Sequence, residues 1–310
     1  MRYICAQPAT PYFEWQVEVM INNFIEKGVN PTKMDILVSY DTEIPQKWLK
    51  LRDGYRFVNF HFYKDEREHK HYQPSIYFYL LKKHFEANPW LKSETLFLHD
   101  SDILFTKNYN FSFATNPGDK KWYLSNTNSY LNYDYIQQKG NYIYRDMCSI
   151  VGIDPLVPRL MKSHSGGAQY IVKDTNYDFW DIVEKTSVEL YDYFVQSESQ
   201  FKKDNPNVEP IQKWTAGMWS ILWNAWLAGH ETVVDSRMDF CFATSDISEV
   251  DRVNIFHNAG VMQSHTDLFR KTAYTQLYPY NIAPEPRRDS ASWYYWNEVQ
   301  KVSKKTVLAN

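Results

Sequence analysis

Apolar and polar positions along the first 105 residues follow two rhythms in turn, one of period two and one of period 3.6. A short apolar strand, Arg2-Tyr3-Ile4-Cys5-Ala6, leads into a stretch over 13–27 that places Val17, Met20, Ile21, Phe24 and Ile25 at helical spacing. The same alternation predicts a second strand over 35–40, a short helix over 44–51, a third strand over 55–62 and a helix over 75–87. A fourth strand over 95–99 is nearly continuous in apolar residues. Strands that alternate with helices imply a mainly parallel sheet with right-handed crossovers, and such sheets bind ligands at the carboxyl ends of their strands.

Past residue 105 the rhythm loosens. Segments 122–125, 168–172 and 232–234 read as strands and 177–193 and 218–228 as helices, separated by longer loops. No composition break or internal repeat divides the chain, which predicts one α/β domain over 1–283 with halves at 1–105 and 106–283. The remainder, 284–310, is a Pro-broken loop and then a helix that either docks on the domain or meets a partner.

Composition narrows the picture. With 44% hydrophobic residues in 310, the chain can bury a full core, and a net charge of −3 argues against a general polyanion binder. Cys5, Cys148 and Cys241 are far apart and odd in number, which favours neither a disulfide framework nor a thiolate metal site and fits a reducing, cytoplasmic compartment. The opening residues lack the apolar core of a secretory signal, and no window has the roughly 18 consecutive apolar residues of a spanning helix. Aromatic content is high, with 24 Tyr and 11 Trp; most fill core, and some suit sugar rings or nucleobases.

The chemistry concentrates at Leu96-Phe97-Leu98-His99-Asp100-Ser101-Asp102-Ile103-Leu104-Phe105, where two carboxylates interrupt an apolar run just past a predicted strand end. Hard oxygen ligands at this spacing suit Mg²⁺ or Mn²⁺ bridging to a diphosphate. His99 falls on the opposite side of the strand from Asp100 and reads as structural. The charge run Asp65-Glu66-Arg67-Glu68-His69-Lys70-His71 reads as a solvated loop.

This strand, Asp-x-Asp, strand arrangement resembles the metal motif of GT-A glycosyltransferases. Tyr72-Gln73-Pro74-Ser75-Ile76-Tyr77-Phe78-Tyr79-Leu80, Trp214-Thr215-Ala216-Gly217-Met218-Trp219 and Ile255-Phe256-His257-Asn258-Ala259-Gly260 are similar to segments of the peptidyl hydroxyproline and serine glycosyltransferases. The resemblance covers about residues 1–265 and implies the Rossmann-like GT-A fold with a mainly parallel central sheet. It implies transfer of a sugar from a nucleotide-diphosphate donor, UDP-linked by preference, to a hydroxyl acceptor on a glycan or protein. On this reading 1–105 binds the donor nucleotide and 106–283 the acceptor. Golgi enzymes of the class carry an N-terminal anchor; the opening sequence here points instead to a bacterial, viral or excised domain.

The resemblance also distributes roles. Asp100, Asp102 and a late histidine, His257, form the expected metal set, with Ser101 between the aspartates at the donor. Ala6, Gln7 and Thr10, at the end of the first strand, and Asp41, after the second, are candidate nucleoside contacts. Gly166 and Gly167 permit close backbone approach to a ligand, Gln169 is the candidate for a donor-sugar hydroxyl and His164 for the acceptor. Trp214 is the better candidate for stacking on acceptor; Trp219 is a further substrate candidate, although Trp219, Trp223 and Trp226 at helical spacing read as a packed face.

One departure stands out. The hydroxyproline and serine enzymes tend to place an acid where this chain has Gly217, and no acid occurs from Lys213 to Ala228. Either the reaction retains configuration, or Glu209, Asp235 or Asp239 serves as base. Two alternatives remain: a non-catalytic carbohydrate- or nucleotide-binding module, and a phage-type enzyme acting on a hydroxylated base in DNA. The latter needs a basic groove, for which Lys162, Arg237, Arg270, Lys271, Arg287 and Arg288 are scattered candidates.

Overall fold

The computed structural model describes residues 1–116 and 118–308. Along the chain run β1 (Arg2–Pro8), α1 (Pro11–Glu26), β2 (Met34–Tyr40), α2 (Gln46–Gly54), β3 (Asn59–Lys64), α3 (Ser75–Ala87), β4 (Leu96–Leu98) and β5 (Ile103–Phe105). There follow β6 (Trp122–Ser125), α4 (Tyr133–Gln138), α5 (Asn141–Val151), α6 (Leu156–Leu160), β7 (Gly167–Val172) and α7 (Tyr177–Asp204). The last elements are α8 (Ala216–Leu227), β8 (Thr232–Val234), β9 (Phe240–Phe242), α9 (Ser248–Arg252), β10 (Ile255–His257) and α10 (Ala291–Leu308).

Seven strands make a mostly parallel central sheet, and β5, β10 and β9 make a second sheet. The polypeptide groups into two compact units, one of residues 65–98 and 113–236, the other of 2–64, 99–112 and 237–310.

In the unit that contains the N-terminal strands, β1 pairs in parallel with β2, Tyr3 opposite Met34, and β2 with β3, Asp35 opposite Asn59. Thr10 is extended ahead of α1, and Pro11 starts the helix where a missing N–H costs nothing. The helix buries Trp15, Val17, Val19, Met20, Ile21 and Phe24. Asn23 of α1 clamps β5 by donating to the Phe105 carbonyl at 3.2 Å and accepting from the Phe105 N–H at 2.8 Å. A core of Trp15, Leu104, Phe256, Phe269, Tyr295 and Val299 joins α1, the second sheet and α10. The C-terminal helix therefore docks within its own unit.

In the other unit β7 runs antiparallel to β4 and β6, while β6 and β8 are parallel. Asn176 caps α7 by accepting from the Phe179 N–H. Between α7 and α8 a buried polar net links Thr186, Ser220 and Asn224, with Thr186 Oγ1 and Ser220 Oγ 2.6 Å apart. Trp219 and Trp223 of α8 pack against each other, ring centroids 5.5 Å apart.

Two boundaries and the character of one loop differ most from expectation. The third strand starts at Asn59 because residues 55–58 form the turn leaving α2. The long helix α7 runs 11 residues past Tyr193, to Asp204, through a polar stretch tied by Lys202 to Glu198 at 2.6 Å. The charge run is not uniformly solvated: Arg67 is buried, paired to Asp65 at 2.9 Å and donating to Ser75 Oγ at 2.8 Å.

Candidate metal and donor site

Apolar β4 and β5 are separated by four residues, so the polar turn His99 to Asp102 lies between two buried strands. β10 pairs antiparallel with β5, setting His257 opposite Ile103, and the Asn258 N–H extends this ladder to the Asp102 carbonyl at 3.0 Å. Backbone pairing alone thus delivers a histidine to the aspartates.

The ligand atoms of Asp100, Asp102 and His257 lie within 4.8 Å of one another. His257 Nε2 is 3.5 Å from Asp100 Oδ2 and 3.4 Å from Asp102 Oδ1, while Lys271 Nζ forms an ion pair with Asp102 Oδ2. Asp102 is 5% and Asp100 51% exposed at the side chain, leaving one carboxylate sheltered and one reachable. Two carboxylates and an imidazole on one small volume suit a divalent ion that accepts both oxygen and nitrogen, such as Mn²⁺.

The charges follow from the packing. Burial pushes the Asp102 carboxyl upward, but Lys271 and then His257 outweigh it and hold Asp102 well below the usual carboxylate range. Asp100 is pushed up by desolvation in the crowded site and by the Asp102 charge, against His257 and Lys271. Burial disfavours the charged form of both His257 and Lys271, yet Asp102 more than compensates and raises each. His257 must release its proton to ligate metal through Nε2.

His99 is buried, its Nδ1 2.9 Å from the Asp100 carbonyl and its ring against Phe24 at 5.1 Å. Burial lowers its pKa to about 4, which keeps the imidazole neutral. It is structural, as its position on the strand predicts. Ser101 is buried at the turn.

Beside this turn runs β1, whose Ile4 carbonyl accepts from the His99 N–H at 3.1 Å. The Cys5 thiol is pushed up by burial and then by Asp100, so β1 lies within electrostatic reach of the turn. Gln7 is buried and donates from Nε2 to the Leu37 carbonyl at 3.0 Å, while its Oε1 and Thr10 Oγ1 are buried without a hydrogen-bond partner. Ala6 is half-buried and Asp41 exposed.

Sequence reasoning gave Tyr12, Asn258, Lys271 and Tyr295 no role at this cluster. The Tyr12 phenol is raised by burial and also feels Lys271 and Asp102. Asn258 is buried, with its side chain at the Tyr295 hydroxyl. Tyr295 is fully buried, and its phenol is raised first by burial and then by the Asp102 charge. None lies in a periodic segment near the Asp-x-Asp motif, although the aromatic residues around Lys271 are a signal of a packed loop.

The candidates of the other unit fare differently. Gln169 is fully buried, and its Oε1 accepts from Ser125 Oγ at 2.8 Å. A Cβ on Gly166 would lie 2.6 Å from the Ser125 carbonyl oxygen, and one on Gly167 2.8 Å from the Met218 methyl. At both glycines the space a side chain would take is filled by protein atoms. His164 Nδ1 lies 2.7 Å from the Thr232 carbonyl. Trp219 is fully buried against Trp223, so its indole has no face for substrate, which corrects its inclusion among the substrate contacts. Trp214 is 55% exposed, with its ring 5.8 Å from that of Tyr130. Of the six scattered basic residues, Lys162, Lys271, Arg287 and Arg288 are paired with acids, which weakens the case for a basic groove.

No protein-family model matches the sequence, and no curated protein matches it. Among solved structures, the bifunctional glycosyltransferase WbbM aligns with 98% of this chain at a TM-score of 0.50 and 6% identity, the alignment taking in 51% of WbbM. The fold is GT-A. The galactosyltransferase LgtC, crystallised with donor and acceptor sugar analogues, aligns over 98% of this chain and 96% of its own at 13% identity and a TM-score of 0.47. Glycosyltransferase GlyE of Streptococcus pneumoniae aligns over 99% of this chain and 63% of its own at 11% identity and a TM-score of 0.46. Within the GT-A frame the Asp100, Asp102 and His257 cluster lies just past the end of β4. No described helix is long and apolar enough to cross a membrane.

Proposed function

We propose that the chain is a metal-dependent glycosyltransferase that moves a sugar from a nucleotide-diphosphate donor, UDP-linked by preference, to a hydroxyl of a glycan or protein acceptor. The observation that carries this reading is the convergence of Asp100, Asp102 and His257, with ligand atoms within 4.8 Å of one another, in a GT-A fold. Asp100, Asp102 and His257 Nε2 would hold Mn²⁺ or Mg²⁺. Such an ion supplies Lewis acidity that offsets charge on the departing diphosphate. Asp102, kept anionic by its neighbours, would be the sheltered ligand, and Asp100, the more exposed of the two, the ligand open to solvent. The nucleoside would lie along Ala6, Gln7, Thr10 and Asp41, where buried Gln7 Oε1 and Thr10 Oγ1 await partners. Trp214, with Tyr130 beside it, supplies a flat face suited to an acceptor ring.

The departure at Gly217 bears on the chemical course. A Cβ there would meet the Phe78 ring at 2.5 Å, so the acid is missing from a position that has no space for one. This favours a retaining reaction, or a base from Glu209, Asp235 or Asp239, over an acid lost from an otherwise ready site.

The test is donor turnover. A panel of nucleotide sugars is incubated with and without Mn²⁺, comparing the native chain with Asp102→Ala. One donor should be hydrolysed in a metal-dependent way, with the variant slower by at least about 100-fold, as expected for loss of an electrostatic stabiliser. A native chain that neither binds nor turns over any donor would overturn this reading and put the non-catalytic binding module ahead of it.

A further inference from the structure

Lys271 entered the sequence reading only as one of six scattered basic residues, yet its ammonium is in contact with Oδ2 of Asp102, a residue of the candidate metal set. Its placement is built into the fold. Phe269, two residues earlier, is buried, and its N–H donates to Ser292 Oγ at 2.7 Å. Tyr274, three residues later, stacks on Phe269 at 5.5 Å, and its carbonyl accepts from Trp15 Nε1 at 3.0 Å. Between these anchors lies a single 3₁₀ turn over Lys271–Ala273. The backbone therefore fixes where the lysine starts, and only side-chain rotation separates the ammonium from Asp102. A quarter of the side chain is exposed, which leaves it a route outward.

We propose that Lys271 is the resident counter-cation of the metal site, and that a divalent ion enters by displacing its ammonium from Asp102. This rests on the reading of Asp100, Asp102 and His257 as metal ligands. Two cations cannot share Asp102 cheaply: like charges about 4 Å apart repel strongly at the effective dielectric of a protein interior. The ammonium must rotate away, and breaking its pair with a sheltered carboxylate subtracts from the affinity of the ion. Without any ion, the same ammonium lets Asp102 remain ionised inside the protein. Lys271 thereby stabilises the metal-free protein and weakens its hold on metal, two effects of one contact.

The groups facing Asp102 are consistent with this division. His257 approaches from β10, Tyr12 from α1 and Tyr295 from α10, and Asn258 continues the β10 backbone. Lys271 is the permanent cation among those named; His257 is charged only when protonated.

The experiment is a Mn²⁺ titration of the full chain followed by electron paramagnetic resonance, with thermal unfolding measured at each Mn²⁺ concentration. Lys271→Met and Lys271→Gln should each bind Mn²⁺ about tenfold more tightly than the native chain, in keeping with removal of a nearby like charge. Both should unfold at lower temperature without the ion and gain more from it. Lys271→Arg, which keeps a cation, should stay close to native. If either neutral variant folds only with Mn²⁺ present, the ion has replaced the ammonium, as expected. Neutral variants whose Mn²⁺ affinity is unchanged or weaker, beside a native chain that binds the ion and an Asp102→Asn variant that does not, would overturn the counter-cation role alone. A native chain that binds no Mn²⁺, with every Lys271 variant equally inert, would overturn the metal site and this proposal together.

Discussion

Gly217 shows how much one missing side chain can decide. Its N–H donates to the Tyr72 hydroxyl at 2.9 Å, the same hydroxyl that donates to the Trp214 carbonyl at 2.9 Å. Tyr72 is 1% exposed, so a buried phenol ties the first turn of α8 to the loop that displays Trp214. A Cβ at 217 would also approach that hydroxyl, at 3.2 Å, besides striking Phe78. Gly217→Asp is therefore expected to destabilise the protein by about 3 kcal/mol or more, through overpacking and an unpaired buried carboxylate. Gly217→Ala, which overpacks only, should cost about 1–3 kcal/mol. Chemical denaturation of the two variants checks the order, and equal losses would show that the site relaxes to solvate the acid. The substitution should not restore a catalytic base, because the displaced phenol would release Trp214.

At the scale of elements, α10 supports the candidate metal site without contributing one of its three residues. Tyr295 stacks on Phe256 at 5.7 Å and lies 5.4 Å from Phe269, so one ring supports both the strand before His257 and the loop before Lys271. The Ala291 N–H bonds to the Ser245 carbonyl at 2.8 Å, fixing where the helix begins. Tyr295→Ala should cost about 3–5 kcal/mol, as for other buried aromatic truncations, and lower Mn²⁺ affinity as the two segments loosen. Tyr295→Phe keeps the packing and should retain both. Thermal unfolding and Mn²⁺ titration of the pair decide this; a stable Tyr295→Ala chain with native metal affinity would show α10 to be peripheral. The sequence disclosed the helix but not this duty. Local rhythm made β1, β2, α1, α3 and the β4 to β5 turn legible, because each buries a periodic face. The end of α7 was hidden because its last turns are polar and exposed apart from Phe201. Asp100, Asp102 and His257 were legible as a motif and a late histidine after an apolar strand. Lys271 was not, because its partner is 169 residues away and joined only by tertiary packing. Trp219 illustrates the opposite error, since resemblance drew attention to a ring that helical spacing had already assigned to the core.

For the whole molecule, stability against acid depends on which buried carboxylates are better served folded than unfolded. Glu14, Glu18 and Glu184 are raised, first by burial, and so favour the folded state less when ionised. Asp35 acts in the opposite sense. Burial pushes it up, but the hydrogen bond from His61 and the contacts of Arg2 prevail and hold it below its ordinary value. Arg2 grips it with two bonds, Nε to Oδ2 at 2.6 Å and Nη2 to Oδ1 at 2.7 Å, across the pairing of β1 with β2. A depressed carboxylate pKa contributes stability that is present above the unfolded value, about 4, and is lost as pH falls through the folded value. Arg2→Met should consequently lower stability at pH 7 by about 3 kcal/mol, since it leaves a sheltered charge short of a partner. The gap to the native chain should narrow below about pH 4 and close once Asp35 is protonated in both. Denaturation at a series of pH values reads this directly. A gap constant from pH 7 down to pH 3 would mean that Arg2 stabilises by packing its stem rather than by its charge, and that the pairing of β1 with β2 is held without its ion pair.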